Sequence, residues 1–396
     1  MNFVFISPNF PSSYWMFCAR LKENGVNVLG IGDCPFDDLA PELKRSLTEY
    51  YKVSTLENYG EMVRAMGYFT HRYGKIDWLE SNNEYWLEQD AALRTDFNVF
   101  TGLRSWDMDP YKKKSRMKEF FQKAGIPCAK FHQVTTLDAA REFIGQVGYP
   151  VVVKPDTGVG ASNTWKLHND DELRFFYDHL PEVPYLMEEF VDGVVTTFDG
   201  VCNSKGEILF AASHITVDSI MDILNEQRPL YYYVDKDMPD DVREVGTRCV
   251  KAFNVRSRCF HIEFFRLKTA REGLGQPGDL VALEVNMRPA GGYTPDMINF
   301  AGSADMYKIW ADMVAFDHSA VDLNQPHHFC CYVSRRDPVS YRHSDEEIWE
   351  LYGNTIKISG RMPDALADVM GNFLYIACFD QKEDMLAFVD FVHQEG

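Results

Sequence analysis

Residues 280–289 constrain this chain more than any other stretch; they read Leu-Val-Ala-Leu-Glu-Val-Asn-Met-Arg-Pro. A strand here puts Val281, Leu283, Val285 and Met287 on one side and Glu284, Asn286 and Arg288 on the other. The apolar side is a core face. The other side carries an acid, an amide and a base in consecutive same-face positions, which a strand that only closes a core does not need. The plain alternative is a solvated polar row. The candidate strand before it, residues 259–265, also alternates and places His261, Glu263 and Phe265 on one face. The Gly- and Pro-containing connection from Lys268 to Asp279 predicts an antiparallel hairpin with a long loop. In that register Glu263 and Glu284 face the same side of neighbouring strands. Carboxylates so close repel, and one takes up a proton unless a cation lies between them. Glu, Glu and Asn form an all-oxygen set suited to a hard cation such as Mg²⁺. Arg288 beside them would stabilise developing negative charge. The pattern points to phosphate chemistry on a sheet.

The 396 residues allow two or three domains. A formal charge of −19 with no long basic stripe argues against nucleic acid and anionic membrane surfaces as partners. No apolar run is long enough to span a bilayer, and residues 1–6 read as a first strand rather than a signal peptide. Nine cysteines, with no C-x-x-C pair and no zinc spacing, read as reduced thiols of a cytoplasmic protein.

Residues 1 to about 105 alternate strand and helix patterns, which implies a parallel sheet. Ligands of such sheets bind beyond the carboxyl ends of strands. Asp33 and the loop Glu80-Ser81-Asn82-Asn83-Glu84 lie at such ends, so Glu80, Asn82 and Glu84 are candidate substrate contacts; turn and cap chemistry is the alternative. The first turn lacks G-x-G-x-x-G, so a nicotinamide-type site has no support. Asp109-Pro110 marks a boundary. A helix follows from about Lys112, ended by Gly125 and Pro127. Its lysine-rich start opposes the helix dipole, which either a nearby anion or plain solvation would relieve. Residues 149–155 form a buried strand ending at Lys154, followed by a Gly/Ser/Thr loop at 156–164. The loop is no Walker loop, but backbone N–H groups of this kind fold over phosphates, with Lys154 as a point charge at its base.

Taken together, the helix lysine, strand lysine, glycine loop, Met-Glu-Glu-Phe-Val, His-Ile-Glu-Phe and Glu-Val-Asn-Met-Arg-Pro resemble the ATP-grasp ligases, particularly the carboxylate–amine type. Biotin carboxylase and carbamoyl-phosphate synthetase are more distant relatives in this resemblance, which covers about residues 1–325. It implies an α/β and α+β chain: a Rossmann-like parallel-sheet domain (1–109), a two-lobed ATP-grasp domain (110–325, lid lobe about 125–190) and a small C-terminal α/β subdomain (326–396). It implies that Lys114, eleven residues before Gly125, contacts ATP phosphates and that Lys154 binds the α and β phosphates. Gly158, Gly160, Ala161 and Ser162 would form the lid. Glu188, with the backbone of Glu189 and Val191, would hold adenine. Glu263 and Glu284 would bind Mg²⁺, Glu284 bridging two ions and Asn286 on the second, with Mn²⁺ able to substitute. Arg288 would steady the transferring phosphoryl group and the acyl phosphate, and Gly291-Gly292-Tyr293 would touch substrate. Where many relatives carry a ribose-binding carboxylate, this chain has Val194-Val195-Thr196, leaving Thr196, Thr197 and Asp199 as substitutes. Arg94, Arg104, Arg335 and Arg336 are candidates for a substrate carboxylate.

The implied activity is ADP-forming ligation of a small carboxylate to an amine through an acyl phosphate, by a cytoplasmic homodimer. The alternatives are another acceptor, bicarbonate or a thiol, and a catalytically idle nucleotide-binding regulator.

Overall fold

A computed structural model describes residues 1–158, 163–217 and 228–396. The chain begins with a four-stranded parallel sheet in the order Glu49–Lys52, Asn27–Gly32, Asn2–Ile6, Trp78–Glu80. Phe3, Val4, Phe5 and Ile6 are all fully buried, as expected where helices cover both faces. One face receives helix Tyr59–Tyr73 through Met62, Ala65, Met66 and Phe69, the 3.6-period stripe legible in the sequence. Asn58 caps that helix by accepting from Glu61 N, and Gly74, at φ 84°, ends it.

The other face receives helix Trp15–Glu23 and, from far along the chain, helix Met306–Phe316. Their junction is aromatic. Phe17 meets Trp310 edge-on at 4.9 Å and Tyr307 at 4.7 Å, and Phe3 meets Trp310 at 5.5 Å. Such contacts tie the parallel sheet to the central body of the molecule.

That body is an antiparallel sheet in the order Leu280–Asn286, Arg258–Leu267, Gly193–Cys202, His214–Thr216, Tyr231–Val234, Phe329–Arg335, Phe373–Phe379, Ile356–Arg361, with Ile208–Ala212 also pairing to Gly193–Cys202. Strands Phe329–Arg335 and Phe373–Phe379 of the C-terminal segment therefore continue the sheet that begins with Leu280–Asn286. Helix Asp240–Ala252 presses on Gly193–Cys202 so closely that a Cβ on Gly246 would stand 2.3 Å from the Phe198 ring. A third sheet, Phe131–Gln133, Tyr185–Glu189, Val151–Pro155, Trp165–Leu167, carries helices Leu137–Val147 and Asp170–Asp178.

A buried ion network also joins the first sheet to the central one. Glu80, at the end of the edge strand, receives Arg94 at 2.8 Å and Arg258 of strand Arg258–Leu267 at 2.7 Å, and all three are nearly inaccessible. Burial pushes the Glu80 carboxyl up, but the two guanidiniums outweigh it and hold the pKa below the usual value. Asp90 beside it is pushed up to about 7 by burial and by Glu80. Removing one partner of such a set strands the other in low dielectric. Arg258→Met is expected to lower unfolding free energy by about 3–5 kcal/mol in urea titration. The double variant Arg258→Met/Glu80→Gln should lose less than the sum of the two single changes.

Candidate active site

The centre of the site is the strand pair foreseen from the sequence. Glu263 stands directly opposite Glu284, and His261 opposite Asn286. Side chains so paired lie about 4.5–5.5 Å apart at Cβ. Lys114 reaches this pair: its Nζ lies 3.2 Å from Oε1 of Glu284 and 3.4 Å from the Gly158 carbonyl. Burial lowers the lysine's affinity for its proton, but Glu284 outweighs it and the pKa is raised.

The single helix expected from Lys112 is two, Asp109–Lys112 and Lys114–Lys123, broken at an extended Lys113. The break sends neighbouring lysines to different acids. Lys112 meets Glu84 at 2.8 Å, Lys113 meets Asp109 at 3.0 Å and Lys114 meets Glu284. The dipole conflict is resolved within the chain. Asp156 accepts from Ser115 N and Ser115 Oγ, both at 2.8 Å, so a carboxylate sits at the N-terminus of the second helix.

Across the cleft, on the third sheet, Glu188 is held between two buried lysines, Lys118 and Lys154, each 3.0 Å away. Burial raises the Glu188 pKa, yet the two ammonium groups outweigh it and hold it at about 2. Lys154 is lowered, by burial first and then by its neighbours Lys118 and Lys114. The Glu189 side chain turns away, to Arg271 Nε at 2.9 Å and Lys130 N at 2.7 Å, and its backbone N–H donates to the Lys130 carbonyl. Val191 is buried. Gly160, Ala161 and Ser162 lie outside the described residues.

Arg288 donates from Nη1 to its neighbour's carbonyl at Pro289, and its Nε lies 3.4 Å from Glu84. Glu84 thus bridges Arg288 and Lys112, bringing the first sheet's terminal loop to the site. In the same loop Asn82 takes φ 54°, and its buried Nδ2 has no partner among the described residues. Gly292, at φ 60°, and Tyr293 form the turn into helix Thr294–Gly302; the Thr294 N–H donates to the Gly291 carbonyl.

Several candidates are otherwise engaged. Glu80 faces inward to Arg94 and Arg258 rather than to a ligand, and Arg94 is spent on it. Arg335 donates to the Val392 and His343 carbonyls, and Arg336 to those of Arg228, Ala367 and Asp368. Arg104 lies over the Phe100 and Trp106 rings. Of the ribose candidates, Thr196 lies 3.4 Å from Ser213 Oγ, whereas Thr197 and Asp199 bond each other and His214. The sequence reading missed the cluster Asp199, His214 and His261. Its members come from three strands, and the pairing of Gly193–Cys202 with Arg258–Leu267, which sets Asp199 opposite His261, and with His214–Thr216 brings them together.

Residues 113–179 match the family model described as "Carbamoyl-phosphate synthase L chain, ATP binding domain". An L-arginine-specific L-amino acid ligase of Bacillus subtilis is 26% identical over 238 residues, 57% of this chain and 55% of that protein. A carbamoyl phosphate synthase large chain of Methanosarcina mazei is 23% identical over 320 residues, 77% of this chain and 28% of that protein. The chain thus spans about half or less of the length of these curated relatives. An L-amino acid ligase structure from Bacillus licheniformis superposes with a TM-score of 0.71 at 15% identity, covering 99% of this chain and 96% of that one. The biotin carboxylase domain of a Hydrogenobacter thermophilus 2-oxoglutarate carboxylase, solved with MgADP and bicarbonate, superposes with a TM-score of 0.72 at 13% identity over 98% and 89%. The chain has the fold of the ATP-grasp ligases.

Glu188 between its two lysines gives the site a pH signature. The folded pKa of about 2 lies below the ordinary 4.5, so the charge contributes stability above pH 4.5 that is lost as pH falls toward 2. Acid titration followed by near-UV circular dichroism should show wild type more stable than Glu188→Gln at pH 7. The margin should shrink by up to about 3 kcal/mol by pH 2.

Proposed function

We propose that the protein is an ADP-forming carboxylate–amine ligase, using ATP and Mg²⁺ to activate a small carboxylate as an acyl phosphate and joining it to an amine. The observation that carries this reading is Glu263 directly opposite Glu284, with Asn286 on the same strand and Lys114 at 3.2 Å. Two carboxylates and an amide, all oxygen donors on one sheet face, fit a hard divalent cation. Such ions, when bound, bridge phosphates and offset their charge.

The protein's own residues supply position and charge. Lys114 and Lys154 hold the phosphates. Glu188 and the segment to Val191 hold the base. Arg288, steadied by Glu84, meets the charge that builds on the transferring phosphoryl group. Asn82, with its unpartnered amide, Glu84 and the turn Gly291-Gly292-Tyr293 face the acid and the amine. Nine free cysteines suit a reducing cytoplasm, and among the described residues no helix is long and apolar enough to cross a membrane. We place the units at 1–109, 110–325 and 326–396, the last sharing its sheet with the second.

The deciding measurement is ADP release with pooled amino acids and small carboxylates, run beside bicarbonate and thiol arms. ADP that depends on an acid and an amine together supports the reading. Release with bicarbonate or thiol alone replaces it with the other acceptor. Arg288→Ala should lower turnover by on the order of 10²–10³ while ATP still binds. Glu284→Gln should abolish Mg²⁺-dependent turnover; an active, Mg²⁺-responsive variant removes the metal assignment.

A further inference from the structure

The polar row that starts at Glu284 does not end at Glu263. On the next strand inward Thr197 is opposite Glu263, and Asp199 is opposite His261. The Asp199 carboxylate is buried and accepts three donors: Nδ1 of His261 at 2.6 Å, Nδ1 of His214 at 2.8 Å and the Thr197 hydroxyl at 2.6 Å. The His214 backbone N–H closes the set by donating to Thr197 Oγ1 at 3.0 Å. The two imidazoles stack at 5.5 Å.

This is a hydrogen-bond network rather than a metal cage. Each Nδ1 has its own carboxylate oxygen at hydrogen-bond distance. An ion about 2.0–2.2 Å from each donor would hold those atoms farther apart. With Nδ1 donating, a neutral His214 ring keeps a lone pair on Nε2, whereas His261 has a carboxylate oxygen facing each of its nitrogens and donates from both.

The two Nε2 atoms face different groups. His261 Nε2 lies 3.2 Å from Glu263 and belongs to the metal side of the site. His214 Nε2 has no partner among the described residues, and 9% of the side chain is exposed. The His214 ring lies 5.9 Å from that of Tyr232, whose hydroxyl accepts from Thr294 just past the glycine turn. A Cβ on Gly292 would stand 3.7 Å from the same hydroxyl. His214 therefore lies on the active face, between the paired carboxylates and the turn assigned to substrate.

We propose that His214, held by Asp199, is the base that takes the proton from the attacking amine. The proposal rests on the ligase reading. An α-amino group, with a pKa of about 7.7–8.0, is largely protonated at neutral pH and cannot attack in that form. In the step proposed, the amine nitrogen forms the bond to the carbonyl carbon. The bond from that carbon to the phosphate oxygen breaks, its electron pair leaving with phosphate. The ammonium loses two protons on the way to the amide: one goes to His214 Nε2 before attack and from there to water, and the second leaves the nitrogen after attack with the departing phosphate. Asp199 fixes the tautomer and steadies the imidazolium, as a carboxylate behind a histidine does elsewhere.

The test separates the two half-reactions. Enzyme, ATP, Mg²⁺ and the pooled acids are given either the pooled amines or hydroxylamine, which is already unprotonated at neutral pH and traps an acyl phosphate as hydroxamate. For His214→Gln and Asp199→Asn, the ratio of amide to hydroxamate is expected to fall by about 10²–10³, within the range of a lost general base. Added imidazole should restore part of it in His214→Ala. Equal loss of both products in every variant, or an unchanged ratio, overturns the base assignment. No hydroxamate from wild type overturns the ligase reading itself, and the base with it.

Discussion

The site is organised around an electrostatic conflict: two glutamates, 263 and 284, stand opposite each other on adjoining strands. Like charges directly across a strand pair destabilise the sheet, and partial burial sharpens the repulsion. The surrounding chain relieves it from both flanks. Lys114 approaches Glu284, while His261 approaches Glu263 and is itself held by Asp199. Burial drives the His261 pKa down, but Asp199 and Glu263 outweigh it and raise it to about 9. Each relieving cation is bonded elsewhere too, and the Glu263 and Glu284 side chains stay 24% and 21% exposed.

Holding that arrangement requires three remote parts of the chain to meet. The 80–84 loop comes from the parallel sheet, the lysines from residues 112–118, and the carboxylates from the end of the central sheet. Their fixing differs in kind. Helix Lys114–Lys123 is aimed by a side-chain cap, Asp156 on Ser115. The 80–84 loop is anchored by Glu80 on Arg258 and Arg94. The parallel sheet is seated by the Phe17–Tyr307–Trp310 aromatic contacts. A residue such as Glu80 thus serves the site without facing it, because the loop it anchors presents Glu84 to Arg288.

Local periodicity made much of this legible. The alternation set the face of both glutamates, and the Gly/Pro connection set the antiparallel pairing, but a bulge at Leu283 breaks the alternation upstream, so that Leu280 and Ala282, not Val281 and Leu283, share the core of Val285 and Met287. The stripe of Met62, Ala65, Met66 and Phe69 marked a helix correctly. What stayed hidden depends on pairing between distant strands. Nothing local puts Asp199 opposite His261, or brings His214 within reach of either. The break at Lys113 was also illegible, since a lysine run with a helical stripe behind it reads as one helix. Only the acids waiting at Glu84 and Glu284 make two turns at different angles favourable. Arg94, a candidate for a substrate carboxylate in the sequence, is instead fully buried because Glu80 pairs with it.

The charges in the cleft are sorted as well as paired. On the third sheet one carboxylate, Glu188, serves two lysines, Lys118 and Lys154, which leaves an excess positive charge there. The lowered Lys154 pKa has that origin: burial beside two other ammonium groups with a shared counter-ion. On the central sheet two carboxylates share Lys114 and His261, with oxygens still free. A chain of formal charge −19 repels anions at long range, so a phosphate-bearing ligand would have to be drawn in locally. An under-neutralised lysine pair on one wall suits phosphate oxygens, and an oxygen-rich floor suits the cations that travel with them. Since these groups are already desolvated and fixed by their mutual pairs, the ligand displaces contacts rather than ordering loose side chains. Such preorganisation is what lets fixed charges act on a transition state without a reorganisation cost at the moment of reaction.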